Sequence, residues 1–515
     1  QPDEAFITRD MLLVLCLGLI CNLASSTKVT QVWVADQAAS RNWTGVLGGG
    51  VLYGMDLMES SAESSVDQGW IFAQDVATDA ARHGTPFGPD TPDQECHVGS
   101  TFKPHMIQPV ENEEGITTHV LISTDRGLAI YTSPGRKLVA CVVCENTDTG
   151  RSFSIAVTHG AFTSADHKYI FLNLITAVGS ESGAVCKVEA DWETNTFTQV
   201  AFLDAHTLID RVGSATARPF WTAWHKGYLF ISMVAGGNLV LDPDTLNVEH
   251  VYSVTEVSGF GMGSASLESG VFVTGGFTAP ESDNIMNFIP SPASTCCEED
   301  YDASQPVEQI MYEGEYSSCI DLHSLTQCHT DEGKTLLWTF CRLSGDLVIV
   351  DPETRTIVKS QRFGSDEGGQ PNEPAVVSAD VLSDFIGDIT YAALRGPQPW
   401  SAVIDYPDPR RVSGVGMIKK SSDCLNATWV GILPTTNGTT VQSSDVHSVG
   451  LIVVEDLSKQ PASDNFVANI LVGGVGGALI AAVVVGVACH FKHGSKDEGE
   501  RLLQGAEVSN FASEP

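Results

Sequence analysis

Residues 346–354 read DLVIVDPET and run directly into Arg355-Thr356-Ile357-Val358. An apolar β-branched run ends in Asp351, whose carboxylate can accept hydrogen bonds from the backbone two residues on. Pro352 then presets φ for a turn, and Thr356-Ile357-Val358 re-enters an extended strand. The unit is a β-hairpin, and it recurs. Residues 238–245 read NLVLDPDT before the alternating Leu246-Asn247-Val248-Glu249-His250-Val251, and residues 402–409 read AVIDYPDP before Arg410-Arg411-Val412. A weaker copy is VCKVEADWET at 185–194, and a degenerate one is LAIYTSPG at 128–135. The hairpins are expected to turn at Asp191, Asp242, Asp351 and Asp405, with Pro352 exposed between the third and fourth strands of a sheet. Copies lie about 50–60 residues apart, with one missing between Asp242 and Asp351.

A second piece precedes the hairpins. It reads HGAFTSADHKYIFL at 159–172, RPFWTAWHKGYLFISM at 218–233 and CHTDEGKTLLWTF at 328–340. Each is a strand, a tight polar turn containing Lys, and an apolar strand. Together the two pieces make four antiparallel strands, and such units at a fixed period build a propeller. Two β-sandwiches are the rival, but they do not repeat one hairpin. These residues resemble the YVTN-type, quinoprotein-like β-propellers over about residues 97–416, with ADHK or DEGK for the family's polar turn and DPxT for its hairpin. The resemblance implies a fold and no particular activity.

The expected fold class is therefore all-β: a seven-bladed β-propeller, with six or eight blades also fitting, followed by one C-terminal transmembrane helix. The first strand, Val32-Trp33-Val34, and the last, Leu451-Ile452-Val453-Val454, can share a blade and remove two exposed sheet edges. Residues 290–328 break the period with an acidic insertion carrying Glu298, Glu299, Asp300, Asp302, Glu308, Glu313 and Glu315, with cysteines at both ends. This pattern predicts a stapled, ordered loop.

The chain ends add a topology. Residues 11–23 read MLLVLCLGLICNL ahead of Ala24-Ser25-Ser26, which fits a signal peptide over 1–26. Asp3, Glu4 and Asp10 outnumber Arg9 before it, so residues 1–10 read better as sequence upstream of a start at Met11. Residues 470–489 read ILVGGVGGALIAAVVVGVAC, about 30 Å of apolar helix, with Lys492 and Lys496 on the expected cytoplasmic side. The expected organisation is an ectodomain at 27–458, a juxtamembrane linker at 459–469, a span at 470–491 and a tail at 492–515. Gly473 and Gly477 have the spacing of a helix-packing face. Glu498 with Leu502 and Leu503 forms an acidic dileucine pattern suited to a sorting adaptor, which would place the protein in endosomal, lysosomal or vacuolar membranes; otherwise the plasma membrane is the default.

With 64 acidic against 28 basic residues the net charge is −36, which argues against nucleic acid as a partner. Ten of the thirteen cysteines precede the span and follow the signal, an even number that suggests disulfides. Asn42, Asn426 and Asn437 head glycosylation sequons.

No familiar catalytic motif appears. Cys141 and Cys144 have CxxC spacing, but they fall in an apolar run, where a strand would face them apart; two structural cysteines with different partners is the better reading. His105, His159 and His329 sit in or before first strands and are candidates for a metal in the central channel, although they do not align at one blade position. No cofactor is indicated. The leading expectation is a type I membrane glycoprotein whose propeller binds a lumenal or extracellular protein or small-molecule ligand. The alternative is a membrane-tethered propeller enzyme, a lactonase-like hydrolase or a metal- or quinone-dependent oxidoreductase.

Overall fold

Residues 346–351 form a strand buried along its whole length. Leu347 and Ile349 enter one apolar core, and Val348 and Val350 enter another. Side chains alternate across a strand, so a continuous apolar run means a sheet covered on both faces. The same division recurs at residues 127–132, where Leu128 and Ile130 go one way and Ala129 and Tyr131 the other. It recurs again at 228–233, with Tyr228 and Phe230 against Leu229, Ile231 and Met233. Sheets stacked face to face in series are the architecture this demands.

The computed structural model of the chain describes most of residues 28–455. The longer stretches outside it are 1–27, 37–50, 58–71, 76–103, 277–284, 312–318, 365–378, 396–413, 435–445 and 456–515. The described strands belong to one compact unit, Lys28–Val454. The protein is an all-β propeller. Six blades are four-stranded meanders of consecutive strands, at residues 104–142, 156–204, 219–252, 260–311, 322–362 and 379–434. These are called blades 1 to 6. This is one fewer than the seven expected from the repeat. The remaining four-stranded sheet is composite, joining Lys28–Asp36, Val51–Leu57 and Phe72–Asp75 to the last strand, Val446–Glu455.

The composite sheet lies between blade 6 and blade 1. Trp33 and Ala35, with Ile452 and Val454, pack into the core of blade 1. Val32 and Val34, with Val446 and Val449, pack into the core of blade 6. Alternate residues of a single strand thus bind the first blade and the last, and this joins the ends of the series. The first strands of neighbouring blades pack on one another and form the inner wall. The fourth strands, such as Thr356–Arg362, are partly exposed, with charges along them.

The DPxT hairpins behave as the sequence implied at three sites. Asp191 Oδ1 accepts from the amides of Glu193 and Thr194, both at 3.1 Å. Asp242 accepts from the Asp244 amide at 2.7 Å and from Thr245 Oγ1 at 2.7 Å. Asp351 accepts from the Glu353 amide at 3.0 Å. All three turns join third and fourth strands, and each closes on a left-handed residue, Asn195, Leu246 or Arg355. The Lys of the polar turn is structural, since Lys334 Nζ reaches Asp351 Oδ2 at 2.8 Å and ties the first turn of blade 5 to its last.

One hairpin expectation needs correction. Pro352 is in the expected turn but is buried, and it lines a small cavity of about 250 Å³ together with Phe288 and Arg355. Residues 402–409, with the expected turn at Asp405, lie outside the described residues; the last hairpin of blade 6 turns at Asp423, which accepts from the Leu425 amide at 3.0 Å. The missing copy between Asp242 and Asp351 is explained by blade 4. Its third strand, Ile285–Pro290, and fourth, Glu308–Met311, are joined by the cysteine-bearing loop in place of a DPxT turn. The insertion thus ends earlier than residue 328, and Leu322–His329 is already the inner strand of blade 5.

Disulfides link neighbouring blades. Cys144 bonds Cys186, and Cys328 bonds Cys424. Cys141 is also disulfide-bonded. The CxxC pair therefore has two different partners, as its strand setting implied.

Candidate functional site: the mouth of the channel

A register shift occurs near the start of the inner strand in every one of the six meander blades. It falls on His105 and Met106 in blade 1, His159 in blade 2, Phe220 in blade 3, Met262 and Gly263 in blade 4, His323 and Ser324 in blade 5, and Asp380 and Val381 in blade 6. Bulges cluster at barrel and sheet rims, where they re-aim a side chain. The composite sheet supplies the matching position through a shared hydrogen bond. Ser324 Oγ accepts from the Leu382 amide of the next blade at 3.0 Å, and Ser448 Oγ accepts from the Ile107 amide at 3.1 Å. His447 is thereby the counterpart of His323. His105, His323 and Asp380 are each the first of the two residues at their bulge, and His447 is their counterpart in the composite sheet.

His105 and His447, on adjacent inner strands, meet edge to face with ring centroids 4.8 Å apart and planes at 88°. His447 and His323 are buried. The backbone around His323 is fixed from blade 4, where Thr274 Oγ1 donates to the His323 carbonyl at 2.8 Å. Gly263 makes this approach possible, since a Cβ there would lie 2.6 Å from the same carbonyl oxygen. One residue before the strand, Asp321 pairs with Arg342, Nε to Oδ2 at 2.6 Å, with both side chains buried. The Arg342 amide also donates to the Asp321 carbonyl at 2.8 Å.

The histidines proposed from sequence are not brought together as a set. His329 is the last residue of the inner strand of blade 5, exposed and bonded to Thr335 Oγ1 at 3.0 Å. It lies six residues beyond His323, about 20 Å along the strand, at the opposite face of the ring. His105 and His159 both lie at bulges, His105 as the first of two residues and His159 as the single one. His323 and His447 were missed, although Leu322-His323-Ser324 and Val446-His447-Ser448 repeat one apolar-His-Ser signal.

A second cluster forms where the insertion docks on blade 3. The Cys296 amide donates to the Lys226 carbonyl at 2.9 Å, and Lys226 Nζ donates to the Pro292 carbonyl at 2.8 Å. Tyr301 stacks on His250 and shares a 2.8 Å hydrogen bond with the Tyr252 hydroxyl. Burial, then the neighbouring Tyr252, push the Tyr301 hydroxyl far above the ordinary phenol range. Among the described residues, Asp242, Cys296 and Cys297 are the one group of three ligand types with donor atoms within 4.8 Å of one another. Cys296 and Cys297 are bonded to each other, however, which removes the thiolates a metal would use. The insertion is stapled at its ends separately, by this bond and by Cys319–Cys341, and not across itself.

Of the sequons, Asn426 is described: it is exposed in the last hairpin of blade 6, where Lys359 Nζ donates to its side chain. Asn42, Asn437, Gly473, Gly477, Glu498, Leu502 and Leu503 lie outside the described residues, as do the signal and the span. No helix among the described residues is long and apolar enough to cross a membrane.

No family model matches the chain, and no curated protein matches its sequence. The class is set by the fold alone, a β-propeller. Among solved structures the chain is similar to the β-propeller domain of Myceliophteria thermophila Cps50 (Swd1), at 11% identity and a TM-score of 0.43, covering 70% of this chain and 93% of that one. It is similar to a protein of unknown function from Bacteroides caccae, at 8% identity and a TM-score of 0.39, covering 82% and 99%. It is also similar to the dihydro-heme d1 dehydrogenase NirN, at 12% identity and a TM-score of 0.40, covering 68% and 59%. Likenesses this distant carry nothing about activity.

Proposed function

We propose that the chain is a binding propeller of the secretory pathway: a type I membrane glycoprotein of the YVTN or quinoprotein-like type, whose ectodomain takes a lumenal or extracellular ligand at the channel mouth. The observation that carries this reading is the set of disulfides joining one blade to the next, Cys144–Cys186 and Cys328–Cys424. Such bonds form and persist in oxidising compartments. Exposure of Asn426 in a tight turn suits a glycan. In this reading the composite sheet counts as a blade, giving seven. Residues 470–491 form the span, with Gly473 and Gly477 as a packing face, and Glu498, Leu502 and Leu503 engage a sorting adaptor.

The test is protease protection in intact microsomes. The reading expects residues 28–455 to be protected until detergent is added, and glycosidase to lower the apparent mass, with Asn426→Gln removing part of that shift. Digestion of the propeller from the cytosolic side sinks it.

A further inference from the structure

His225 ends the inner strand of blade 3, at the side of the ring opposite the channel mouth, and it is buried. Both of its ring nitrogens meet serine hydroxyls of blade 4. Nδ1 lies 3.0 Å from Ser266 Oγ, and Nε2 lies 2.8 Å from Ser291 Oγ. Hydroxyl-donated bonds run shorter than those donated by a ring N–H, so the lengths put the ring proton on Nδ1 and make Nε2 the acceptor of the Ser291 proton. The other contact of Ser291 Oγ, to the Pro292 carbonyl, is long at 3.5 Å. Burial, then the charge of Lys226, holds the His225 pKa below its ordinary value, so the ring is neutral near pH 7. Ser291 is held in place as well. Its amide donates to the Ser269 carbonyl at 2.9 Å, and the next carbonyl, of Pro292, accepts from Lys226 Nζ at 2.8 Å. A serine hydroxyl bonded to a neutral imidazole, itself oriented by a third group, is the arrangement that activates a nucleophile.

Ser291 also lines the cavity of about 250 Å³ between blades 4 and 5. Phe288 and Pro352 give that cavity apolar walls, and Arg355 and Glu353 balance in charge, so it suits a neutral molecule. Glu353 and Ser269, which line it too, are exposed, so it is open to solvent. Its volume falls just below that of ordinary ligand pockets, which fits a short acyl group and not a long one. We propose that Ser291 is a nucleophilic serine that accepts the acyl group of small neutral esters, with His225 as its base and Ser266 as the residue that positions the imidazole. The bond from Oγ to the carbonyl carbon forms as the Oγ proton passes to His225 Nε2. The ester C–O bond then breaks as that proton passes to the leaving alkoxide. Water hydrolyses the acyl-serine by the same steps in reverse, giving its proton to His225 and the acid as product. The inference does not depend on the membrane topology or on the ligand site proposed above.

The probe is a short alkyl fluorophosphonate, which forms an Oγ–P bond and releases fluoride at nucleophilic serines. It is added to the purified full chain, and the label is mapped by peptide mass spectrometry. Ser269 lines the same cavity with no histidine on its hydroxyl among the described residues, so it is the internal control. Labelling of Ser291 should be at least about 100-fold faster than of Ser269, and His225→Gln should slow it at least about 100-fold. Ser266→Ala should slow it about tenfold, the value of one neutral hydrogen bond, and Ser266→Thr, which keeps the hydroxyl, should not. p-Nitrophenyl acetate should release a stoichiometric burst of nitrophenolate that Ser291→Ala abolishes. Near-ultraviolet circular dichroism of each variant, compared with the parent, confirms that the ring is intact. If His225→Gln misfolds, the ratio of Ser291 to Ser269 labelling on the unmodified chain decides by itself. Labelling of Ser291 no faster than of Ser269, labelling unchanged in a folded His225→Gln variant, or a burst that survives Ser291→Ala overturns the assignment and leaves His225 as a structural bridge between two serines.

Discussion

Removing the Cys328–Cys424 bond by a double substitution to alanine should be among the most damaging changes at the join between blades 5 and 6. The bond joins residues 96 apart in sequence and ties the inner strand of blade 5 to the last hairpin of blade 6. Constraining a loop of that length removes about 4–5 kcal/mol of entropy from the unfolded chain. Both cysteines are fully buried, so the alanines also lose packing. The Cys424 carbonyl accepts from Trp338 Nε1 at 2.9 Å, so loosening the hairpin weakens a bond to a buried tryptophan as well. A loss of about 4 kcal/mol, at an m-value of about 3 kcal/mol/M in urea, lowers the unfolding midpoint by about 1.3 M. The assay is equilibrium urea unfolding followed by tryptophan fluorescence, on parent and variant under identical oxidising conditions. A midpoint shift below about 0.3 M, with an unchanged m-value, would refute the claim that this bond closes a long loop between blades.

Replacing Arg342 by Met should leave the Asp321 carboxylate buried without its cation and cost about 3–5 kcal/mol, while Arg342→Met with Asp321→Asn should recover part of that; thermal or urea unfolding checks both. Burial raises the Asp351 pKa, but the hydrogen bond from Lys334 and the turn amides outweigh it and hold the carboxyl below its ordinary value. A carboxyl depressed in the folded state contributes stability above its unfolded pKa and loses it as pH falls through the folded one. The parent should therefore lose stability below about pH 4, and Asp351→Asn should show a shallower fall in urea midpoints measured between about pH 5 and about pH 2.5. Trp33→Ala removes a side chain from the core between the composite sheet and blade 1 and should cost about 3–5 kcal/mol, read by thermal unfolding. Tyr301→Ala should free the insertion from blade 3 and speed limited proteolysis within residues 292–307, leaving the blades intact.

The hairpins were legible because their chemistry is local. An Asp that accepts from the amide two residues on needs no tertiary partner for that bond, so Asp191, Asp242 and Asp351 announced their turns in sequence. The pair of outer runs at Val32 and Val454 was legible for a related reason, since an unpaired strand at each end of a ring needs a partner. What failed was what depends on context. Pro352 has turn chemistry and is nonetheless covered by its neighbours. The channel mouth was half visible. His105 and His159 drew notice as histidines at strand starts, but the position of His323 rests on a bulge, a one- or two-residue slip that alternation of polar and apolar residues does not encode. The repeated His-Ser step was the available clue, and its meaning came from the serines, which bond the amide of the next blade.

The central claim is that the last strand closes the propeller by pairing with the first. Native-state hydrogen exchange of residues 28–36 and 446–455 tests it most directly. If the composite sheet closes the ring, the amides of both segments are protected to the level of the buried strand Asp346–Asp351 and lose protection together when Trp33 is replaced by Ala. If residues 446–455 exchange at the rate of a free chain end while the other strands stay protected, the ring is open and the account is wrong.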